Sequence, residues 1–346
     1  MTKRELAILV GLVVVLGVTF LMSLAVGSTP VPLRRVFEAL VGTSPERDAA
    51  VIVVQIIRLP RSLTAMLAGA SLGIAGLQMQ TLFRNPLADP FALGISSGAS
   101  LGVALVLLGT GYGAAAAFGA ATGAGGDALI TLAAIVGAAL VLGLVLAVSS
   151  HIANPTTVLI LGLMFGYAVS AVVTVLVGVS QPERLQQWAQ WGFGSFSGVT
   201  WQRLRLFAPL TFAGVLIASA TTKQLNALLL GESYARSMGL AVKRARLLTM
   251  LGASMLGAVV TAFCGPITFI GIAVPHLCRG LLGTSDHRVL VPAVVLMGSA
   301  VALVAQIVSL LPGSAGALPL NAVTSLMGAP VVVAVLLRSR RGAFAG

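Results

Sequence analysis

The sequence predicts an all-α polytopic membrane protein of about ten transmembrane helices, with spans 2–5 and 7–10 related as an inverted repeat. Three observations predict it. Of the residues, 58% are hydrophobic and only 9% charged, at a mean hydropathy of +1.03, whereas a soluble domain carries roughly 25% charged residues. Apolar runs long enough to cross a bilayer recur through all 346 residues, and at about 20 residues per crossing there is room for about ten. Finally, Arg61-Ser-Leu-Thr-Ala-Met-Leu-Ala-Gly-Ala-Ser-Leu-Gly73 echoes Arg246-Leu-Leu-Thr-Met-Leu-Gly-Ala-Ser-Met-Leu-Gly257, and Asp89-Pro-Phe-Ala-Leu-Gly94 echoes Gly265-Pro-Ile-Thr-Phe-Ile-Gly271. The paired stretches fall on spans of opposite direction, and opposed halves can rock about a midplane path. The whole chain, 1–346, then forms one transmembrane domain.

Span 1 is Leu6 to Gly27. Its apolar run is about twice the length of a signal peptide's, with no clean small-x-small cleavage site, so it is read as retained. The polar loop Ser28–Leu59 carries Arg34, Arg35, Glu38, Glu46, Arg47 and Asp48 and ends at Arg58-Leu-Pro-Arg61. Span 2, about Ser62 to Phe83, has a small-residue face from Ala68 to Gly76, which suits close helix packing in lipid. Gln78 and Gln80 near its end either line a watered path or bond to a neighbouring helix. The two prolines of Arg84-Asn-Pro-Leu-Ala-Asp-Pro90 stop the helix in a tight turn. Span 3 starts near Phe91, with Gly94, Gly98 and Gly102 at helical spacing as a packing face. No Lys-Ser/Thr follows these glycines, so they are not a phosphate-binding loop.

Gly109–Asp127 reads as an outer loop, Ala128–Val148 as span 4, His151-Ile-Ala-Asn-Pro155 as an inner turn and Thr156–Val179 as span 5. The outer stretch 188–201 holds all three tryptophans. An interfacial belt explains tryptophan well, but Gly192-Phe-Gly-Ser-Phe-Ser-Gly198 also fits a short broken helix that tilts as a gate. Span 6 is Leu206–Ala220 and span 7 Leu247–Phe263. The next apolar run, Cys264 to His276, is broken by Pro266 and Pro275 and is read as a discontinuous span 8, tolerated at depth only where protein or a cavity satisfies its backbone. Val289–Leu311 is span 9, Pro312–Leu318 an outer turn and Pro319–Leu337 span 10.

A net charge of +12 would raise nucleic acid as a partner of a soluble protein. Here the basic residues stand at span ends without aromatic interleaving, and more of the 21 Lys and Arg fall on segments placed inside when both termini are cytoplasmic, as the positive-inside rule requires. Cys264 and Cys278 are too few for a metal site or a disulfide framework, and His151, His276 and His287 have no ligand spacing.

One polar island, Thr221–Arg246, interrupts the apolar pattern between spans 6 and 7. Basic residues alternate there with Leu225, Leu228, Leu229, Leu230, Ala235 and Met238, so the stretch is amphipathic and wants a partner. Gly231 and Gly239 can each close a short helix in the left-handed conformation. Glu232 suits the positive end of the second helix and lies four residues before Arg236 on the same face. A loop lying on the headgroups is the competing reading.

The string Leu225-Asn226-Ala227-Leu228-Leu229-Leu230-Gly231-Glu232, followed by Ala235 and Ser237-Met238-Gly239-Leu240, resembles the coupling element of the iron-chelate and vitamin B12 permease family, the transmembrane subunits of type II ABC importers. The resemblance extends from Arg58 to Arg338 through Arg58-Leu-Pro-Arg61, Asn85-Pro-Leu-Ala88, Leu93-Gly-Ile-Ser-Ser-Gly-Ala99, Trp191 to Gly198, Phe269-Ile-Gly to Pro275-His276 with Arg279, and Gly328-Ala-Pro330. It implies a ten-helix subunit that pairs with a second copy or a paralogue in the bacterial inner membrane. Two ATPase subunits, holding the ATP and Mg, bind inside; a periplasmic binding protein delivers ferric siderophore, haem or cobalamin outside.

Residue by residue, the resemblance assigns ATPase coupling (about 224–240) to Leu225, Asn226, Leu228, Leu230, Gly231, Glu232, Ala235, Arg236 and Gly239. It places binding-protein docking at Arg58 and Arg61, which lipid-headgroup anchoring would also explain. The gate falls at Phe193, Gly194, Ser195, Phe196 and Gly198, with Gln78 and Gln80 as path candidates. Two departures stand out: Gln306-Ile-Val-Ser-Leu-Leu lacks the family's Asp and Arg at the end of span 9, and Ala317-Leu-Pro-Leu-Asn321 replaces Glu-Leu-Pro-Val-Gly. The chain is expected to have no cofactor, metal or catalytic residue of its own; it carries no Gly-x4-Gly-Lys-Ser/Thr string. An ion-coupled secondary transporter shares the inverted repeat but needs acidic residues within spans, and none falls in these ten.

Overall fold

The computed structural model describes residues 1–346 apart from 28–29, 43–47, 110–111, 123–126, 150, 153, 311–316 and 344–346. Glu46, Arg47 and most of the expected outer turn at 312–318 lie outside the described residues, as do the side chains of Arg338, Arg340 and Arg341. Among the described residues, seven helices are long and apolar enough to cross a membrane, and three shorter apolar helices, Ile95–Leu107, Ile270–Leu282 and Leu320–Ala334, complete the ten expected crossings.

Helix α1 (Lys3–Ala25) opens on a capping box in which Thr2 and Glu5 satisfy each other's backbone N–H groups. The loop expected over 28–59 is largely helical. It contains the amphipathic α2 (Leu33–Val41), then α3 (Ala49–Ile52), which passes through a π-helical stretch (Val53–Arg58) into α4 (Leu59–Phe83). The helix of span 2 therefore starts at Ala49 and not at Ser62, and Pro60 lies inside it, directly after the π-helical stretch that shifts the hydrogen-bond register. After Arg84 the chain turns back through a 3-10 turn (Pro90–Leu93), and a left-handed Gly94 opens α5 (Ile95–Leu107).

The expected Gly-rich outer loop contains α6 (Tyr112–Thr122), as its alanine run allows. α7 (Ala128–Ser149) and α8 (Pro155–Gly178) match spans 4 and 5. α9 (Pro182–Gly192) is followed by a non-helical segment, 193–200, and α10 (Trp201–Ala220) begins five residues ahead of the expected span 6. Two short helices, α11 (Thr222–Leu229) and α12 (Glu232–Ser237), occupy the polar island. α13 (Val242–Cys264), α14 (Ile270–Leu282), α15 (His287–Ser309) and α16 (Leu320–Ala343) complete the second half. Span 8 breaks at 265–269, where Gly265 and Phe269 both have positive φ, and α14 continues through Pro275.

The packing repeats between the halves. α4 packs on α15 and α14; its counterpart α13 packs on α7 and α5. α5 leans on α8 as α14 leans on α16. α4 and α13 meet at the centre, the arrangement that a pseudo-twofold axis in the membrane plane produces. The small-residue faces are the crossings: Gly69 lies on the backbone of Gly298, Gly76 on that of Gly271, and Gly98 on that of Gly137. With lipid as apolar as leucine, this close backbone approach supplies the contact that holds the bundle together.

Candidate functional site

α11 packs against α4 and α15 and α12 against α13, and the pair has two distinct faces. Leu225 (1% exposed), Leu228 and Ala235 are buried against the permease itself, whereas Leu230 (65%), Met238 (52%), Leu229 and Tyr234 are exposed. The sequence could not separate these two sets, because all lie on an amphipathic stretch with two apolar sides. Gly231 closes α11 at φ 114 and ψ 147. That is positive φ with extended ψ, a region essentially reserved for glycine, in place of the left-handed helical turn expected there. Gly239 has φ +81 with nothing nearby where a side chain would go.

Polar contacts fix this element to the spans beneath it. The Asn226 side chain donates to Asp286 Oδ1 (2.6 Å), while its Oδ1 accepts from the backbone N–H of His287 (2.9 Å) and lies 2.7 Å from His287 Nδ1. The backbone N–H of Arg288, together with Asn226, holds the Asp286 carboxyl below the ordinary carboxylate range. Arg84 donates to the carbonyl of Leu228 (3.2 Å). Glu232 pairs with Arg246 of α13 (2.5 Å) and Arg236 of its own helix (3.6 Å). Asn226 thus sits inward, tying α11 to α15. Asp286, His287 and Arg84 join the site only through folding, and no spacing in the sequence marks them.

Gln78 and Gln80 are buried between helices. Gln78 donates to Thr221 Oγ1 (2.9 Å) and the Ala218 carbonyl (3.3 Å), at the junction of α10 and α11. Gln80 donates to the Ile272 carbonyl (3.1 Å) and accepts from Arg279 (2.5 Å).

On the opposite face, the 193–200 segment is stitched to the break between α13 and α14. Ser195 N–H donates to the Cys264 carbonyl (2.7 Å), and Asn321 N–H donates to the Phe193 carbonyl (2.9 Å). Gly194 is left-handed at φ +69, and a Cβ there would stand 2.9 Å from the Pro266 carbonyl. Phe196 is buried while Phe193 is half exposed, and Gly198 accepts from Arg203 (2.8 Å). The segment is a strap of turns after α9, not a helix, since the positive-φ Gly194 does not fit one. A cavity of about 170 Å³ on one side is lined by Arg61, Phe193, Gly194 and Gln306, and one of about 370 Å³ on the other by Trp191, Ser195, Arg203 and Cys264.

Arg58 is 5% exposed and donates to the carbonyls of Leu24 and Ala25 at the end of α1 (2.8 Å each). It caps a helix whose last turn would otherwise leave carbonyls bare, so its guanidinium points into the protein. Arg61 instead lines the 170 Å³ cavity.

Gly194→Leu is expected to abolish transport while the protein still inserts and folds. The side chain combines an unfavourable φ with a contact on the Pro266 carbonyl, where the strap meets the break between α13 and α14. Uptake in vesicles, with yield checked by gel filtration, measures it; normal uptake would make the strap a passive belt.

Membrane spans in two opposed halves, with an amphipathic helix pair on one face and a strap on the other, are the architecture of a transporter permease. A family model described as the FecCD transport family matches residues 15–338. The chain belongs to the FecCD transport family. It is 38% identical to the vitamin B12 import system permease protein BtuC of Klebsiella pneumoniae over 98% of this chain and 96% of that one. It is 37% identical to the protein of the same name from Citrobacter koseri over 82% of this chain and 83% of that one. Among solved structures it is similar to an ABC transporter described as of metal-chelate type in an inward-facing conformation, with a TM-score of 0.80 and 28% identity, covering 96% of this chain and 99% of the other.

Proposed function

We propose that this chain is the membrane-spanning subunit of an ATP-driven importer that passes a metal chelate from a periplasmic binding protein to the cytoplasm. The observation that carries it is the α11–α12 element: an exposed apolar face, Leu229, Leu230, Tyr234 and Met238, on a polar loop pinned to both halves from beneath. Such a face suits an ATPase subunit, which binds ATP and Mg, closes on nucleotide and moves the halves as rigid bodies. The bacterial inner membrane would hold a pair of permeases, this chain with a second copy or a paralogue, with both termini cytoplasmic. Arg61, at the mouth of the cavity under the strap, is the residue assigned to the binding protein; Arg58 supports it by holding α1 in place.

Among chelates, the names of the B12 permease relatives support cobalamin ahead of the ferric siderophore or haem that the family's breadth allows. Proteoliposomes with the permease, its ATPase and the matching binding protein test this. ATP-dependent accumulation of cobalamin is expected. Accumulation of a ferric siderophore or haem alone would change the substrate, and uptake by the permease alone under a proton gradient would replace the importer with a secondary transporter.

A further inference from the structure

Beside the α11–α12 element lies a cavity of about 230 Å³ lined by Ser149, His151, Arg236, Lys243 and Arg246, with Ile152, Val242 and Leu247 as its apolar wall. Three elements build it: the end of α7 with the turn after it, the start of α13, and α12. Three cations, Arg236, Lys243 and Arg246, therefore converge with His151, and among the described residues Glu232 pairs with two of them, Arg246 and Arg236. Lys243 is exposed and has no carboxylate partner among the described residues. The first turn of α13 also points this way, with no side-chain cap on its N-cap residue Ala241, so its amide dipoles add to the positive field.

The cavity's position selects the ligand. α7 and α13 are both membrane spans, so a pocket at their adjoining ends sits at headgroup depth. An anion there meets water and basic groups on one side and Ile152, Val242 and Leu247 on the other. A phosphodiester carrying a glycerol backbone matches both halves; a free inorganic anion would use only the first. We infer that this cavity binds the phosphate of an anionic phospholipid such as phosphatidylglycerol, holding lipid against the base of α12. Bound there, the lipid would brace Arg236 and Arg246, the two cations that position Glu232.

The full chain in detergent, stripped of lipid, can be titrated with short-chain phosphatidylglycerol, phosphatidylcholine of the same chain length and inorganic phosphate, with retained lipid read by native mass spectrometry. Phosphatidylglycerol should be retained over phosphatidylcholine, and Lys243→Gln should lower its retention by about fivefold, the effect of roughly one basic residue near an anionic surface. Lys243→Arg should restore it, and inorganic phosphate should not displace it. Equal retention of the two lipids, or no loss in Lys243→Gln, would overturn the proposal. Displacement by inorganic phosphate would assign the cavity to a free anion instead. Protection of Lys243 from amine modification only when the ATPase is bound, and never by lipid, would make it a protein contact. The measurement needs no transport, so it stands apart from the proposed import function.

Discussion

Gly76→Leu is expected to leave almost no folded permease, the largest single effect in the molecule. A Cβ at position 76 would fall on the carbonyl oxygen of Gly271, with the carbonyl carbon at 2.5 Å and the Cα at 2.7 Å. These are backbone atoms at the start of α14, held by the strained break at 265–269, and no rotamer change can remove them. Overpacking a core against movable side chains costs about 1–3 kcal/mol; here α4 and α14 themselves must separate. That separation would spread, because α4 also carries the Gly69 crossing on α15 and the Gly73 approach to Val294. Monodisperse protein by fluorescence-detected gel filtration should fall well over tenfold, with Gly76→Ala already severe. Gly11→Ala, in α1 with nothing within 4 Å of its new Cβ, serves as the matched control at wild-type yield. Wild-type yield from Gly76→Leu would mean that the α4–α14 crossing is misplaced.

The second large effect is expected at the α11–α12 element. Leu230 and Met238 are exposed in the chain, and burying each in an ATPase groove would contribute roughly 1.5–3 kcal/mol. Leu230→Asp or Met238→Asp should therefore weaken ATPase binding by about ten- to a hundredfold each, while the permease folds normally. Leu225→Asp should behave differently: Leu225 packs inward, so its loss lowers permease yield first. Glu232→Lys replaces the carboxylate between Arg246 and Arg236 with a third cation, turning two attractions into repulsions. It should release α12 from α13 and uncouple ATP hydrolysis from the loaded binding protein. Gly239→Val carries the φ +81 penalty of about 1–2 kcal/mol, whereas Gly239→Asn, which tolerates that φ and meets open space, should couple normally. ATP hydrolysis with and without loaded binding protein distinguishes these variants; normal coupling in Glu232→Lys would leave α11–α12 as a headgroup-lying loop.

Much of the fold was legible because most crossings are long apolar runs and the close helix contacts fall on small residues such as Gly69, Gly76 and Gly98. The inverted repeat was legible because Arg61–Gly73 and Arg246–Gly257 must make equivalent contacts in both halves. What escaped the sequence lies where tertiary contacts override local pattern. Charges at 34–48 disguised α2 and the early start of span 2, although Arg35 pairs with Asp48 across that very stretch. Pro275 looked like a helix breaker but is absorbed in α14, whereas the break expected at Pro266 is present, flanked by the positive-φ Gly265 and Phe269. Arg58 and Arg61 look equivalent three residues apart, yet only the position of the end of α1 shows that Arg58 serves as its cap. In α11–α12, the residues and their helical pattern were legible; which leucines face inward depended on α4 and α15, which no local pattern records.

The central claim, that α11–α12 is the seat of an ATPase subunit, is tested most directly by cross-linking. Ser233 and Ser237 are exposed on α12, and the native Cys264 and Cys278 are buried and free, so single cysteines can be placed at 233 or 237 in the native background. In the assembled complex, a short bifunctional thiol-to-amine reagent should join either position to the ATPase, and nucleotide should change the yield. An intact, active complex in which neither cysteine cross-links to the ATPase in any nucleotide state would contradict the claim.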